Sequence, residues 1–133
     1  MRFKVLIISL FLLSSFSFSK ISYLSKPMEA YVLTHYPNQS VRTIEYNKKA
    51  RLIEVLLEDM AVLKFNKKGQ ISYIYDIDTI RESQLPKDLF LYLKNNHKEN
   101  YVKEWGVNKK SQYVILEDNS KVNFDKKGII IED

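Results

Sequence analysis

From Leu24 onward the chain switches twice from a helical to an alternating hydrophobic pattern. Leu24, Met28, Tyr31, Val32 and Tyr36 recur at helical spacing, and Leu85, Leu89, Tyr92, Leu93 and His97 repeat that spacing 61 residues later. Each set forms one apolar stripe, which predicts two amphipathic helices. After each stripe the period falls to two, predicting strands near Val41–Tyr46, Arg51–Glu58, Met60–Phe65 and Gln70–Ile77 in the first half. In the second half the strands are expected near Tyr101–Val107, Gln112–Glu117, Lys121–Phe124 and Ile129–Glu132. Asn47-Lys48-Lys49, Glu58-Asp59 and Asn66-Lys67-Lys68-Gly69 punctuate them as turns, and such short connections require antiparallel neighbours.

The strands repeat as the helices do, at an offset of 59: Glu58-Asp59 matches Glu117-Asp118, and Phe65 to Gly69 matches Phe124 to Gly128. At about fifty residues neither half can bury both a helix stripe and a sheet face. The expected fold is therefore α+β: two tandem α-β-β-β-β repeats, about 24–77 and 85–132, sharing one antiparallel sheet of about eight strands with both helices on one face. Residues 20–133 make a single domain, with Asp78 to Gln84 crossing between the copies and Pro86 in the first turn of the second helix. Phe65 and Phe124 are expected at equivalent buried positions.

The first residues bear on compartment. Arg2 and Lys4 precede an apolar run from Val5 to Leu13, and Ser17-Phe18-Ser19 supplies small residues at the −3 and −1 positions of a cleavage site. This predicts a signal peptide over 1–19, cleaved after Ser19, and a periplasmic or secreted product with no stable membrane span. Removing it leaves 19 basic against 16 acidic residues, alternating along the chain in place of one block. Such a charge pattern gives little support to nucleic-acid binding and favours only weak attraction to anionic surfaces. With no cysteine there is no disulfide framework, thiolate nucleophile or cysteine metal site.

A leading helix ending in an aromatic-proline pair, followed by short strands with a phenylalanine, acid or amide, lysine and glycine turn, resembles the PepSY-like, β-lactamase-inhibitor-protein-like family of exported bacterial proteins. The matching residues are Leu85-Pro86, Tyr92, Tyr36-Pro37, Val102, Trp105, Phe65 to Gly69 and Phe124 to Gly128, in two copies from about Leu24 to Glu132. Ser25 and Lys98 stand where the family pattern has proline. The resemblance implies a twisted sheet with helices on one face and the other face open to a partner. It carries over no functional residue.

Catalytic ingredients are sparse: His35 and His97 fall at non-equivalent places in the repeat, where helix-end stabilisation accounts for each. No G-x-S-x-G, P-loop or H-E-x-x-H string occurs. We expect no enzyme activity and no cofactor. Asp76 and Asp78, two apart, are the weak metal candidates, able to share one face and hold a hard cation. Along their strand Ile71, Tyr73, Tyr75 and Ile77 are expected against the helices, leaving Ser72, Ile74, Asp76 and Asp78 outward. Several strands are apolar on both faces, and the chain has nine tyrosines. These favour an exported binding module that holds or inhibits another envelope or secreted protein, or a second copy of itself, through the open sheet face. Tyr101, Trp105 and Tyr113 are the candidate contacts. The competing class is a periplasmic small-ligand or cation sensor.

Overall fold

Each copy opens with a ten-residue helix, α1 at Lys26–His35 and α2 at Lys87–Asn96. Ser25 caps α1 with extended backbone and Pro27 lies in its first turn, where its missing N–H costs nothing. Pro86 is the N-cap of α2, and its carbonyl accepts the Phe90 N–H at 3.0 Å. Both helices close alike, with the N–H of Tyr36 donating to the Val32 carbonyl and that of His97 to the Leu93 carbonyl, each at 2.7 Å. The computed structural model describes residues 24–131. The expected signal peptide over 1–19, its cleavage after Ser19, and Glu132 lie outside the described residues.

Seven strands follow in simple meander order: β1 Val41–Asn47, β2 Leu52–Leu57, β3 Val62–Phe65, β4 Ile71–Tyr75, β5 Val102–Val107, β6 Ser111–Leu116 and β7 Lys121–Asp125. Every neighbouring pair is antiparallel. The expected eighth strand is reduced to one bridge between Phe124 and Ile130. Ile130 packs against the core while Ile129 and Ile131 are exposed, a strand-like alternation, and among the described residues the ladder is held by the Asp125 N–H to the Ile129 carbonyl and the Ile131 N–H to the Asn123 carbonyl. A short 3₁₀ turn, Glu82–Gln84, lies in the crossing between copies.

One row of cross-strand partners forms the floor of the core: Ile44, Val55, Leu63, Ile74, Trp105, Val114 and Val122. The helices lie on it through Met28 and Val32 from α1 and Leu89 and Leu93 from α2. Phe65 and Phe124 are both fully buried, and each meets an aromatic of its own helix edge-on. Tyr31 and Phe65 have ring centroids 5.7 Å apart at 82°, and Tyr92 and Phe124 are 5.6 Å apart at 82°. The repeat is thus reproduced in side-chain geometry.

Ile71 packs on the core and Asp78 is exposed, as expected, but from Tyr73 to Ile77 the expected outward and inward sets along β4 are reversed. Ile74 is fully buried and Asp76 is 4% exposed, whereas Ile77 is 70% exposed. The strand ends at Tyr75, and the partner row that contains Ile74 is the helix side. Continuous apolar alternation on Ile71, Tyr73 and Tyr75 gives no means of choosing the face. In β5 a bulge between Val102 and Glu104 lets Val102 and Trp105, three residues apart, both point inward. β1 carries the same irregularity between Val41 and Thr43.

The meander sorts the turns to two ends. At one end lie the β1–β2, β3–β4 and β5–β6 turns and the turn after β7, carrying the exposed pairs Lys48-Lys49, Lys67-Lys68, Lys109-Lys110 and Lys126-Lys127. Both helices begin at that end, since Gly69 lies against Ser25 and Pro27, and Gly128 against Asp88 and Leu89. The other end collects the β2–β3 and β6–β7 turns and the crossing.

Replacing Phe65 or Phe124 by Ala should cost about 3 to 5 kcal/mol each, because a fully buried ring leaves a cavity under its helix. Lys67→Ala and Lys126→Ala should change stability by no more than about 0.5 kcal/mol. Urea unfolding of the four variants checks this, and unequal losses for the two phenylalanines would break the equivalence of the copies.

Candidate functional site

The two-residue spacing of Asp76 and Asp78 becomes a three-carboxylate cluster in the fold. The β2–β3 turn lies one strand away from the end of β4, and it brings Asp59 to them, with one carboxylate oxygen from each residue within 4.8 Å of the others. Asp59 holds its own turn by accepting the Ala61 N–H at 3.0 Å, and the turn needs a positive φ of 77° at Met60. The matching turn of the second copy has Asn119 at the same conformation, with Asp118 accepting from Ser120, and no further carboxylate joins it among the described residues. Asp59 was legible as a turn residue. Its role follows only from the strand order.

Asp76 sits deepest, and its backbone explains why. Its N–H donates to the Lys103 carbonyl at 2.9 Å, tying the end of β4 to the bulge of β5, and its Oδ1 accepts the Asp78 N–H at 3.0 Å. On the inner side the Tyr36 hydroxyl donates to Oδ2 at 3.3 Å. Gln84 Nε2 then donates to the hydroxyls of Tyr36 at 2.9 Å and Tyr31 at 3.3 Å, while Gln84 Oε1 accepts the Arg81 N–H at 3.0 Å. A buried polar chain therefore runs from the helix and the crossing to the cluster, with each member partnered.

Charge is poorly compensated there. Burial pushes the Asp76 carboxyl above its ordinary range; the Asp78 N–H offsets this, while the nearby charge of Asp59 adds to it. Arg81, which adjacency nominates as the counter-ion, instead lies over the Tyr36 ring at 5.1 Å and donates to the His35 carbonyl. Burial also raises the Tyr36 and Tyr31 hydroxyls, keeping them neutral donors. His35, packed 4.4 Å from the Tyr31 ring, has its pKa lowered by burial and by Arg81.

The three candidate contact residues do not form one patch. Trp105 is 5% exposed on the helix side, its indole N–H donating to Gln112 Oε1 at 2.9 Å, and it is a core residue. The bulge that turned it inward is invisible to strict alternation. Tyr101 is exposed where β5 begins. Tyr113 lies on the open face, which has two partner rows: Glu45, Glu54, Lys64, Tyr73, Gly106, Tyr113 and Asn123; and Thr43, Leu56, Val62, Tyr75, Glu104, Ile115 and Lys121. Lys64 and Lys121 lie over the rings of Tyr73 and Tyr113 at 4.6 and 4.8 Å, and the Tyr113 hydroxyl, pushed up to about 12 by burial and Glu104, donates to Glu104 at 3.2 Å. Tyr73 and Tyr75 were assigned to the helix face and so were missed.

The sequence matches no described protein family and no curated protein. The fold matches solved structures. A candidate periplasmic protein of unknown function from Bacteroides vulgatus superposes with a TM-score of 0.74 at 23% identity, covering 82% of this chain and 90% of that one. A candidate calcium-regulated periplasmic protein from Bacteroides thetaiotaomicron gives 0.74 at 19% identity, covering 82% and 88%. A candidate periplasmic protein of the DUF2874 family, also from B. vulgatus, gives 0.73 at 18%, covering 82% and 88%. Likeness at this identity establishes the α+β fold. Among the described residues no helix is long and apolar enough to cross a membrane.

Because the folded carboxyl of Asp76 is raised, the native state holds its proton more tightly than the unfolded chain does. The resulting penalty is present above the folded pKa and disappears as pH falls through it towards the unfolded value. Without added cations, Asp76→Asn should therefore raise stability at pH 7, and its advantage over the parent should shrink as the solution is acidified. Urea midpoints across that pH range check the sign.

Proposed function

We propose that the chain is a non-catalytic exported binding module whose Asp59, Asp76 and Asp78 cluster takes a divalent cation of the calcium type. The observation that carries this reading is the convergence of three carboxylates, one of them nearly fully buried, without a basic side chain placed between them. Hard cations take oxygen ligands, and three carboxylates with nearby carbonyls and water fit a site of that class. The cation would offset the burial that chiefly raises Asp76 and the repulsion from Asp59 and Asp78 that adds to it. One structural neighbour is described as calcium-regulated, and all three are assigned to the periplasm, in keeping with the N-terminal apolar run of this chain. The polar chain through Tyr36 and Gln84 then gives a bound ion a route to the α1 end and the crossing. Calcium at millimolar concentration should raise the melting temperature, by the equivalent of about 2.7 kcal/mol at 100 times Kd. Asp59→Asn and Asp78→Asn should abolish the rise. An equal response in parent and variants would reject the site.

A second reading, engagement of another envelope or secreted protein, or a second copy of the chain, is favoured by the open sheet face. Its rows put Tyr73, Tyr75 and Tyr113 beside Leu56, Val62 and Ile115, an apolar and aromatic centre edged by Lys64, Lys121, Glu54 and Glu104. This matches the open-face architecture implied by the PepSY-like resemblance. Tyr73→Ala should remove a specific envelope partner from pull-downs, and a profile indistinguishable from the parent would count against this face.

A further inference from the structure

The fold gathers the paired lysines at one end of the sheet, while the single basic residues Arg42, Arg81, Lys94, Lys98, Lys103 and Lys121 stay near the other. All four lysine pairs lie in turns at one end of the sheet, with Arg51 beside the first pair, and every one of these side chains is exposed. The opposite end holds the carboxylate cluster together with Glu58, Glu82, Glu117 and Asp118. Both ten-residue helices point their positive ends towards the lysines, reinforcing the same polarity. Acids near the basic end are fewer than the lysines: Glu29 and Asp88 in the first helical turns, Glu45 and its partner Glu54, which accepts from Asn47, and Asp125, whose Oδ1 is occupied by the N–H groups of Lys127 and Ile129.

From this grouping we infer that the lysine end is a peripheral docking surface for a membrane rich in anionic lipid headgroups. Alternate strands stand about 10 Å apart, so the four turns make a broad row of roughly 30 Å, suited to an extended charged plane and too wide for one small anion. The charges are lysines on flexible stems, which follow diffuse headgroup phosphates, and one exposed aromatic, Tyr46 beneath Lys67 at 5.8 Å, is too little to stack successive bases. Exposed Tyr46, Val107 and Ile129 flank the row singly and form no continuous apolar face, so contact is carried by charge at headgroup depth. In this orientation the sheet stands on the bilayer by its turns, and the carboxylate cluster is held at the far end, facing the aqueous space.

The test is sedimentation of the full chain with vesicles of phosphatidylcholine alone and with about one-third phosphatidylglycerol, at low salt. Any partition of the apolar N-terminal run is common to both, so the ratio of the two isolates charge. At about 1 kcal/mol, or roughly fivefold, per surface lysine, the ratio should exceed ten for the parent and collapse in 0.5 M salt, on the order of the concentration at which screening is nearly complete. The variant Lys67→Gln/Lys68→Gln/Lys126→Gln/Lys127→Gln should lose it, while Lys94→Gln/Lys98→Gln/Lys103→Gln/Lys121→Gln, with the same net charge but altered at the other end, should retain it. Thermal melts confirm that both variants fold. Equal loss in the two variants, a parental ratio of one, or salt-sensitive binding to duplex DNA with a vesicle ratio of one would each overturn the assignment.

Discussion

Three paired residues join the two copies, and the rest of the molecule depends on them. Tyr73, Ile74 and Tyr75 of β4 pair with Gly106, Trp105 and Glu104 of β5, closing two half-sheets into one. A copy on its own would leave the edge of its core row in water; the seam places Ile74 against Trp105 and makes that row continuous. Trp105 is held in place from within, since its partner Gln112 also donates to the Asp125 and Lys126 carbonyls. Gly106 is required on the other face: a Cβ there would come within 2.6 Å of the Tyr113 hydroxyl, whose ring covers it. One residue of the seam thus packs the core and its neighbour shapes the open face.

The seam also creates the acidic site. Asp76 follows β4 directly and is bonded to Lys103, and Ile80 donates to the Val102 carbonyl at 2.7 Å, so the crossing folds back over the end of the sheet. That return places Asp78 beside Asp76 and both beside the β2–β3 turn. Burying a carboxylate there would be strongly unfavourable without the donors that surround it, and the chain supplies them from a helix end and a 3₁₀ turn. The site draws on elements that only the joined sheet brings together.

Much of this was legible in the sequence. The two stripes, the turns, the internal repeat and the burial of Phe65 and Phe124 all follow from spacing, because helix and strand periods are local properties of the chain. What could not be read is what depends on register. A bulge of one residue turned Trp105 from surface to core, and the choice of face along β4 was left open by apolar residues on both sides. Asp59 and Asp76 lie 17 positions apart, and only the meander makes them neighbours. The grouping of the lysine pairs is likewise a matter of topology, since every second turn points the same way.

Convergence of Asp59, Asp76 and Asp78 is proposed to make a cation site. Crystals grown with manganese, which shares the oxygen preference of calcium and magnesium, test it directly through anomalous scattering. The account predicts a peak at about 2.0 to 2.6 Å from oxygens of all three carboxylates. Ordered, lysine-free carboxylates with no anomalous peak between them at saturating manganese would contradict it.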